Sequence, residues 1–135
     1  MKRRARLLAA AGAAILLLAA VGYLKIGWRP FRGLDAAEIL SASVWLTPPD
    51  VTAELDREEI ETLAELLRQV RVSRRDDSYT DYCGQGVIFT LTMTDGTVTE
   101  VVAFNPFLII DGGGWRMTHQ SRPSLNSFGN HLYKP

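Results

Sequence analysis

The chain has 135 residues and equal numbers of basic and acidic residues, 15 of each. This length suits one ordinary domain with an additional segment. The charge is unevenly divided, because seven bases and no acid come before Gly33. From Gly33 onward the remaining eight bases face all 15 acids, which gives a net charge of −7. Phosphate contacts need clustered Lys and Arg, so an acidic domain on a basic stem argues against nucleic-acid binding.

An uncharged and almost wholly apolar segment runs from Leu7 to Leu24. At about 1.5 Å per helical residue it reaches roughly 27 Å, enough to span the hydrocarbon core of a bilayer. Residues 7–24 therefore predict a single membrane anchor. The alternative is a cleaved signal peptide, because Ala20 and Gly22 supply a small-x-small cleavage site. Cleavage there would make the domain a secreted protein.

The bases on either side of the apolar segment bear on its orientation. Four bases precede it and three follow it, and the positive-inside rule places the short amino-terminal tail in the cytoplasm. Pro30 and Gly33 would end any continuous helix. We therefore expect a cytoplasmic tail, anchor and basic stem over residues 1–32 and a small extracytoplasmic domain over residues 33–135. Trp28 is expected at the level of the lipid headgroups.

The predicted domain begins with a helical turn and a strand. Asp35 is expected to cap the turn in "LDAAEIL", with Glu38 three residues further on. The next stretch, "SASVWL", predicts a strand. That strand should end at "TPP", because consecutive prolines cannot donate hydrogen bonds to a neighbouring strand.

The clearest helix is predicted in "LDREEIETLAELLRQV". Asp56 is expected to cap its amino terminus, and Glu59 completes a capping box. Ile60, Leu63 and Leu67 recur at helical spacing and therefore share one face. We expect this apolar face to cover a sheet.

Two strand-like stretches, "VIFTLTMT" and "TVTEVVAF", flank an Asp-Gly pair at positions 95–96. This dipeptide is typical of a two-residue type I′ turn, because both central residues need positive φ. Such a turn would place Leu91 opposite Glu100 and Phe89 opposite Val102. One face of the hairpin would then be apolar except for Glu100, and the other rich in threonine.

A run of three glycines stands in "LIIDGGGWRM". A P-loop needs Lys and Ser or Thr directly after its glycines, and a dinucleotide fingerprint needs G-x-G-x-x-G leading into a helix. Neither feature follows Gly114. We therefore expect a second hairpin whose turn is formed by Gly112 and Gly113, with Ile110 opposite Trp115. Gly113 would then have positive φ.

The candidate catalytic residues are Cys83 with His119 or His131, acting as nucleophile and base. Cys83, the single cysteine, lies in a loop-like "TDYCGQG" without the local signature of a cysteine hydrolase. The spacing of the two histidines matches no zinc motif, so no metal or cofactor is predicted. The stretch "DDSYTD" lacks the alternating oxygens and the glycine of an EF-hand. It predicts a solvated acidic loop.

Three aromatic residues, Tyr79, Tyr82 and Trp115, stand beside predicted loops. Aromatic side chains in such places often form a recognition surface, because they bury much area at low entropic cost. They serve equally well as caps over a hydrophobic core. Both interpretations remain open for these residues, and they are the candidate binding surface.

After Pro48 the chain resembles a small module of bacterial membrane-anchored proteins, chiefly of clostridial type, that have no assigned activity. The stretches that carry the resemblance are "LDREEIETLAELLRQV", "TMTDGT", "NPFLIIDG" and "LNSF". It covers nearly all of the chain after Pro48, although Trp115 stands where that module is expected to have a tyrosine. These stretches are structural landmarks. The resemblance thus implies a fold and a membrane location but no catalytic residues.

The predicted fold class is α+β, an antiparallel sheet of about five strands packed on one main helix and preceded by an amino-terminal transmembrane helix. Leu125, Phe128 and Leu132 also indicate a short closing helix after Pro123. The expected elements therefore make one small domain on one anchor.

Three functions fit this architecture. The first is a membrane-anchored, non-enzymatic extracytoplasmic binding or sensing module, with an envelope or membrane protein as partner. The second is a cell-envelope enzyme that uses Cys83 with a histidine. The third is a structural accessory subunit of a membrane complex. The sequence favours the first, because it does not bring a nucleophile, a base and an acid together.

Overall fold

The computed structural model describes residues 2–132, with the backbone alone at 23–25. Within this range the protein is α+β and its sheet is antiparallel, as predicted. The predicted size of about five strands on one main helix is too small. The described residues form seven strands, with two helices packed on one side of the sheet. The last three residues of the predicted domain, 133–135, lie outside the described residues.

Three α-helices and seven strands make up the described chain. The helices are α1 (Lys2–Ile26), α2 (Arg57–Gln69) and α3 (Arg122–Leu132). The strands are β1 (Ile39–Thr47), β2 (Val51–Glu54), β3 (Val72–Arg75), β4 (Gly86–Met93), β5 (Val98–Phe104), β6 (Phe107–Ile110) and β7 (Gly113–Met117). Their order across the sheet is β2-β1-β4-β5-β6-β7-β3. The short β2 and β3 therefore form its two edges.

The helix signals in the sequence are confirmed. Asp35 accepts a hydrogen bond from the Ala37 backbone N–H over 3.0 Å at the start of a single 3₁₀ turn. At α2 the Asp56 carboxylate accepts from the Glu59 N–H over 2.8 Å, and the Glu59 carboxylate accepts from the Asp56 N–H over 2.9 Å. The α2 residues that share the apolar face, Ile60, Leu63, Ala64 and Leu67, are buried.

The third helix packs closely on the sheet through a glycine. A Cβ atom added at Gly129 of α3 would lie 2.2 Å from Cγ1 of Val87 on β4. Leu125, one turn earlier, is fully buried. The predicted closing helix is thus confirmed, and it belongs to the core rather than to the surface of the domain.

The register predicted for the first hairpin is wrong by one residue. Its loop has three residues, Thr94 to Gly96, with the Gly96 N–H donating to the Met93 carbonyl over 3.0 Å and φ of +90° at Gly96. Phe89 therefore lies opposite Val101 rather than Val102. Since a shift of one residue exchanges the two faces of a strand, Val101 is buried in the core. Glu100 lies exposed on the other face.

The glycine run does form a hairpin turn, but one residue earlier than predicted. Asp111 and Gly112 occupy the turn, with φ of 47° and 84°, as a type I′ turn requires. Gly113 is the first residue of β7 and pairs with Ile110, so the expected positive φ at Gly113 is wrong. Because the turn comes one residue earlier, Trp115 lies opposite Leu108.

The first helix stands away from the rest of the protein. The side chains at positions 2–21 are all exposed, and this is the one helix among the described residues that is long and apolar enough to cross a membrane. It ends at Ile26, and the next residue, Gly27, has a φ of +69°. Trp28 then pairs with Val72 through two backbone hydrogen bonds of 2.9 Å. Backbone pairing with the sheet thus begins at Trp28, before residue 33.

Candidate functional site

The sheet has a second face that the helices do not cover. This outer face carries Trp45 on β1, Ile88 on β4 and Val102 on β5. Trp45 pairs with Ile88, and Ile88 pairs with Val102. None of the three belongs to the core cluster under the helices. Over β6 and β7 the same face is covered by the segment 76–82, as the contacts of Tyr79 and Tyr82 with Phe107 indicate. The outer face is therefore partly closed and partly open.

Tyr79 closes part of this face. Its hydroxyl donates to the Gly112 carbonyl over 2.8 Å, and its ring meets the edge of Phe107 at a centroid distance of 6.3 Å. Gly114 permits this approach, because a Cβ atom there would lie 2.7 Å from Cδ1 of Tyr79 and 2.2 Å from the Asp76 carbonyl oxygen. Tyr79 thus caps a small second core centred on Phe107.

Trp115 lies on the opposite side of the sheet from Tyr79, next to the main core. Its ring contacts that of Trp28 in an edge-on arrangement with a centroid distance of 5.0 Å, and the Arg75 guanidinium lies 5.2 Å above it. Trp28, expected at the headgroup level, is therefore packed within the domain. Of the three candidate aromatics, Tyr82 is the most open to solvent, with 57% of its surface exposed.

The stretch predicted as a solvated acidic loop anchors the cover instead. The Asp76 side chain is only 14% exposed and lies 3.0 Å from Nη2 of Arg116. The Asp77 carboxylate accepts from the Gly114 N–H over 2.8 Å. Hydrogen bonds from the hydroxyl and N–H of Ser78, followed by the hydrogen bond and the charge of Arg116, lower the pKa of Asp76 to about 2. The predicted exposure is found at Asp77 and Asp81 but is wrong for Asp76, because one of its partners, Arg116, lies in a distant strand.

The uncovered part of the outer face, with the exposed end of the segment 76–82 beside it, carries a group of apolar side chains, which we call the open-face patch. It consists of Trp45, Tyr82, Ile88, Val102 and Phe104. Trp45 is 42% exposed and Tyr82 57% exposed, while the other three are partly exposed. The alternation in "SASVWL" contains the signal for Trp45, because it directs Ala42, Val44 and Leu46 to the core.

Hydrogen bonds hold the loops at the edge of this patch. The indole Nε1 of Trp45 donates to the carboxylate of Asp50, which fixes the ring against the turn that follows β1. The side-chain amide of Gln85 donates to the Pro48 carbonyl over 2.8 Å, joining that turn to the segment before β4. These hydrogen bonds hold the loops around the patch in one conformation, which lowers the conformational entropy lost when a partner binds.

A separate cavity of about 670 Å³ lies where α1 joins the domain, and we call it the helix-exit cavity. Its apolar lining comes from Ile26 of α1 and from Leu66 and Val70. Arg71 and His119 also line it, and the other lining residues are polar and uncharged. The backbone N–H of Arg71 donates to the Ser121 hydroxyl over 3.0 Å, which ties the two walls together.

The proposed catalytic residues lie in different parts of the molecule. His119 lines the helix-exit cavity, and His131 lines a shallow groove between α2 and α3. Cys83 is exposed in the segment before β4 and contributes to neither lining. Within residues 2–132, no three His, Cys, Asp or Glu residues come together in an arrangement that could hold a metal ion.

Comparisons of the chain with models of protein families, with curated proteins and with solved structures found no significant match. The resemblance to a clostridial-type module therefore stays a prediction. The geometry of the described residues alone supports the functional argument that follows.

Proposed function

We propose that the protein is a membrane-anchored, non-enzymatic binding module that holds its domain outside the cytoplasm and binds a membrane or envelope protein. The observation that carries the proposal is the open-face patch on a domain attached to an apolar, exposed helix. Contiguous exposed apolar surface rimmed by polar residues is typical of interaction sites.

The composition of the patch supports a protein partner. Trp and Tyr are enriched at protein interfaces and supply much of the binding energy there. Trp45 and Tyr82 are the most exposed members. Ile88 and Val102 extend the surface from Trp45 across neighbouring strands, and Tyr82 contacts Phe107, which stacks with Phe104. Serine and threonine side chains on the same face, such as Ser43 and its partner Thr90, provide a polar margin.

The anchor and its orientation rest on α1. Its residues 2–21 are exposed although they are mostly apolar, which is unfavourable in water and favourable in lipid. The four bases before the apolar segment against three after it support a cytoplasmic amino terminus. The domain would then meet partners of the envelope or of the membrane itself.

Protease added to intact cells tests the location. With an epitope placed after Pro135, the proposal expects the epitope to be removed from outside while the uncut chain fractionates with membranes. Protection until the cells are lysed would reverse the orientation. Release of a shorter soluble form without added protease would instead establish cleavage near Gly22.

Photo-crosslinking tests the binding surface. A photoreactive amino acid at Tyr82 or Val102 should give a discrete higher-mass adduct in intact cells. The matched control places it at Glu61, an exposed position of α2 on the helix side of the domain. Trp45→Ser should reduce the adduct formed from Val102 without lowering the amount of folded protein. Equal adducts from Glu61, or none from the patch, would contradict the proposal.

A further inference from the structure

We propose that the helix-exit cavity binds the phosphate of an anionic phospholipid drawn from the membrane that α1 spans. This inference rests on the proposed anchor but is independent of the open-face patch and of the orientation of the domain. It assigns a ligand class to a cavity that the proposed binding of a protein partner does not use.

The dimensions of the cavity suit such a ligand. Its volume of about 670 Å³ lies within the range of roughly 300–1,000 Å³ that is usual for small-molecule sites. One part of the lining is apolar, formed by Ile26, Leu66 and Val70, and another is polar, with Arg71, His119 and Ser124. A lipid headgroup with the start of its acyl chains has the same division into a polar and an apolar part.

The charge of the cavity differs from that of the domain around it. The chain from Gly33 onward carries all 15 acids and a net charge of −7, yet the described residues that line this cavity include neither Asp nor Glu. Arg71 is the one Lys or Arg residue among the described lining residues, and its guanidinium makes no ion pair with the carboxylates of the described residues. Arginine binds phosphate through charge-assisted, frequently bidentate hydrogen bonds. A phosphate would therefore satisfy Arg71 without competing with a nearby acid.

The position of the cavity favours a lipid over a soluble anion. Ile26, on its lining, is the last residue of α1 and lies two residues after the apolar segment ends at Leu24. At about 1.5 Å per helical residue, the cavity opens roughly 3 Å beyond the hydrocarbon region. This is the level of the headgroups. Arg29 and Arg32, which follow in the chain, add positive charge that attracts anionic lipid to this level.

Lipid titration of the full chain tests the proposal. The chain is held in non-ionic detergent and titrated with phosphatidylglycerol or with phosphatidylcholine, and the lipid-bound fraction is measured by native mass spectrometry. We expect phosphatidylglycerol to bind at least tenfold more tightly. Arg71→Gln should weaken it by roughly tenfold or more, the usual effect of losing a charge-assisted hydrogen bond, and His119→Gln by less.

Arg74→Gln is the matched control, because it removes the same charge three residues away. The Arg74 side chain is 62% exposed and is not part of the cavity, so binding should be unchanged. Equal binding of the two lipids, or an Arg71→Gln variant that binds normally, would overturn the proposal. So would competition by inorganic phosphate or glycerol phosphate at the lipid's own concentration, which would indicate a site for soluble anions.

Incorporation of the chain into nanodiscs of phosphatidylcholine, with or without phosphatidylglycerol, tests the lipid site separately from the anchor. A chain that enters the discs but shows no preference for anionic lipid retains its anchor and lacks the proposed lipid site. A chain that fails to enter discs of either composition lacks the anchor on which both proposals depend.

Discussion

The guanidinium of Arg116 is bound to the carboxylate of Asp76. Its Nε donates to Oδ2 over 3.1 Å, and its Nη2 lies 3.0 Å from the same oxygen. The other oxygen of Asp76 accepts from the hydroxyl and the N–H of Ser78, while Arg116 lies 5.1 Å above the ring of Phe107. This pair therefore fastens the segment 76–82 over the second core and holds the covered part of the outer face closed.

Replacing Asp76 should weaken the fold in a pH-dependent way. The pKa of Asp76 is lowered from 3.8 to about 2, chiefly by Ser78 and further by Arg116. A carboxylate with a lowered folded-state pKa stabilises the fold above its unfolded pKa, and this contribution is lost as the pH falls through the folded value. Asp76→Asn should therefore lower the free energy of unfolding at neutral pH, and its difference from the wild type should shrink between pH of about 4 and about 2.

Urea denaturation of the full chain in detergent at several pH values measures this difference. The control is Asp81→Asn, which changes an exposed carboxylate in the same segment and should have a small effect throughout. A difference between wild type and Asp76→Asn that stays constant down to pH of about 2 would mean that the Asp76 charge does not hold the segment.

Gly114 should not tolerate a side chain. A Cβ atom there would lie 2.2 Å from the Asp76 carbonyl oxygen and 2.7 Å from the Tyr79 ring. Overpacking of this kind typically costs about 1–3 kcal/mol, so Gly114→Ala should lower the unfolding midpoint and increase proteolysis in the segment 76–82. Gly33→Ala is the control, because its added Cβ meets nothing within 4 Å. Similar midpoints for the two variants would show that the cover does not approach β7 this closely.

The position of the second turn predicts which of two neighbouring glycines is the more sensitive to substitution. Gly112 has φ of 84°, and a left-handed conformation costs an L-residue roughly 1–2 kcal/mol. Gly113 lies in β7, where the atoms nearest to an added Cβ belong to the guanidinium end of Arg75, a flexible side chain that is 52% exposed. Gly112→Ala should therefore destabilise the domain more than Gly113→Ala in thermal unfolding. The reverse order would place the turn at residues 112–113 after all.

The second helix offers a comparison between its cap and its core. Loss of the capping carboxylate in Asp56→Ala should cost about 1 kcal/mol. Leu63→Ala removes a side chain that is fully buried and should cost roughly 2–5 kcal/mol. Chemical denaturation of both variants gives the two values. Equal, small effects would indicate that α2 does not pack on the sheet.

Local features of this protein could be predicted from its sequence because they depend on residues a few positions apart. The capping box joins Asp56 to Glu59. The glycine run predicted a hairpin turn between β6 and β7, although the turn lies at Asp111-Gly112, one residue earlier than expected. The apolar length of α1 is likewise a property of consecutive residues. Interactions of this range are present before the chain has collapsed, so the amino-acid pattern alone indicates them.

The edges of the sheet were not predicted. β3 has the sequence "VSRR" and β2 the sequence "VTAE", and neither has an apolar alternation long enough to indicate a strand. Both become strands because a neighbour supplies backbone partners, β7 for β3 and β1 for β2. Their extended conformation is a consequence of the assembled sheet.

Tertiary packing also decided which side chains remain available for function. One extra loop residue before Thr97 reversed the faces of β5, taking Val101 into the core and leaving Val102 beside Trp45 and Ile88 on the open face. The apolar pattern along the chain identified these residues as strand formers. It did not determine their faces, because strand side chains alternate and the register depends on a hydrogen-bonded partner and on the helices that cover only one side.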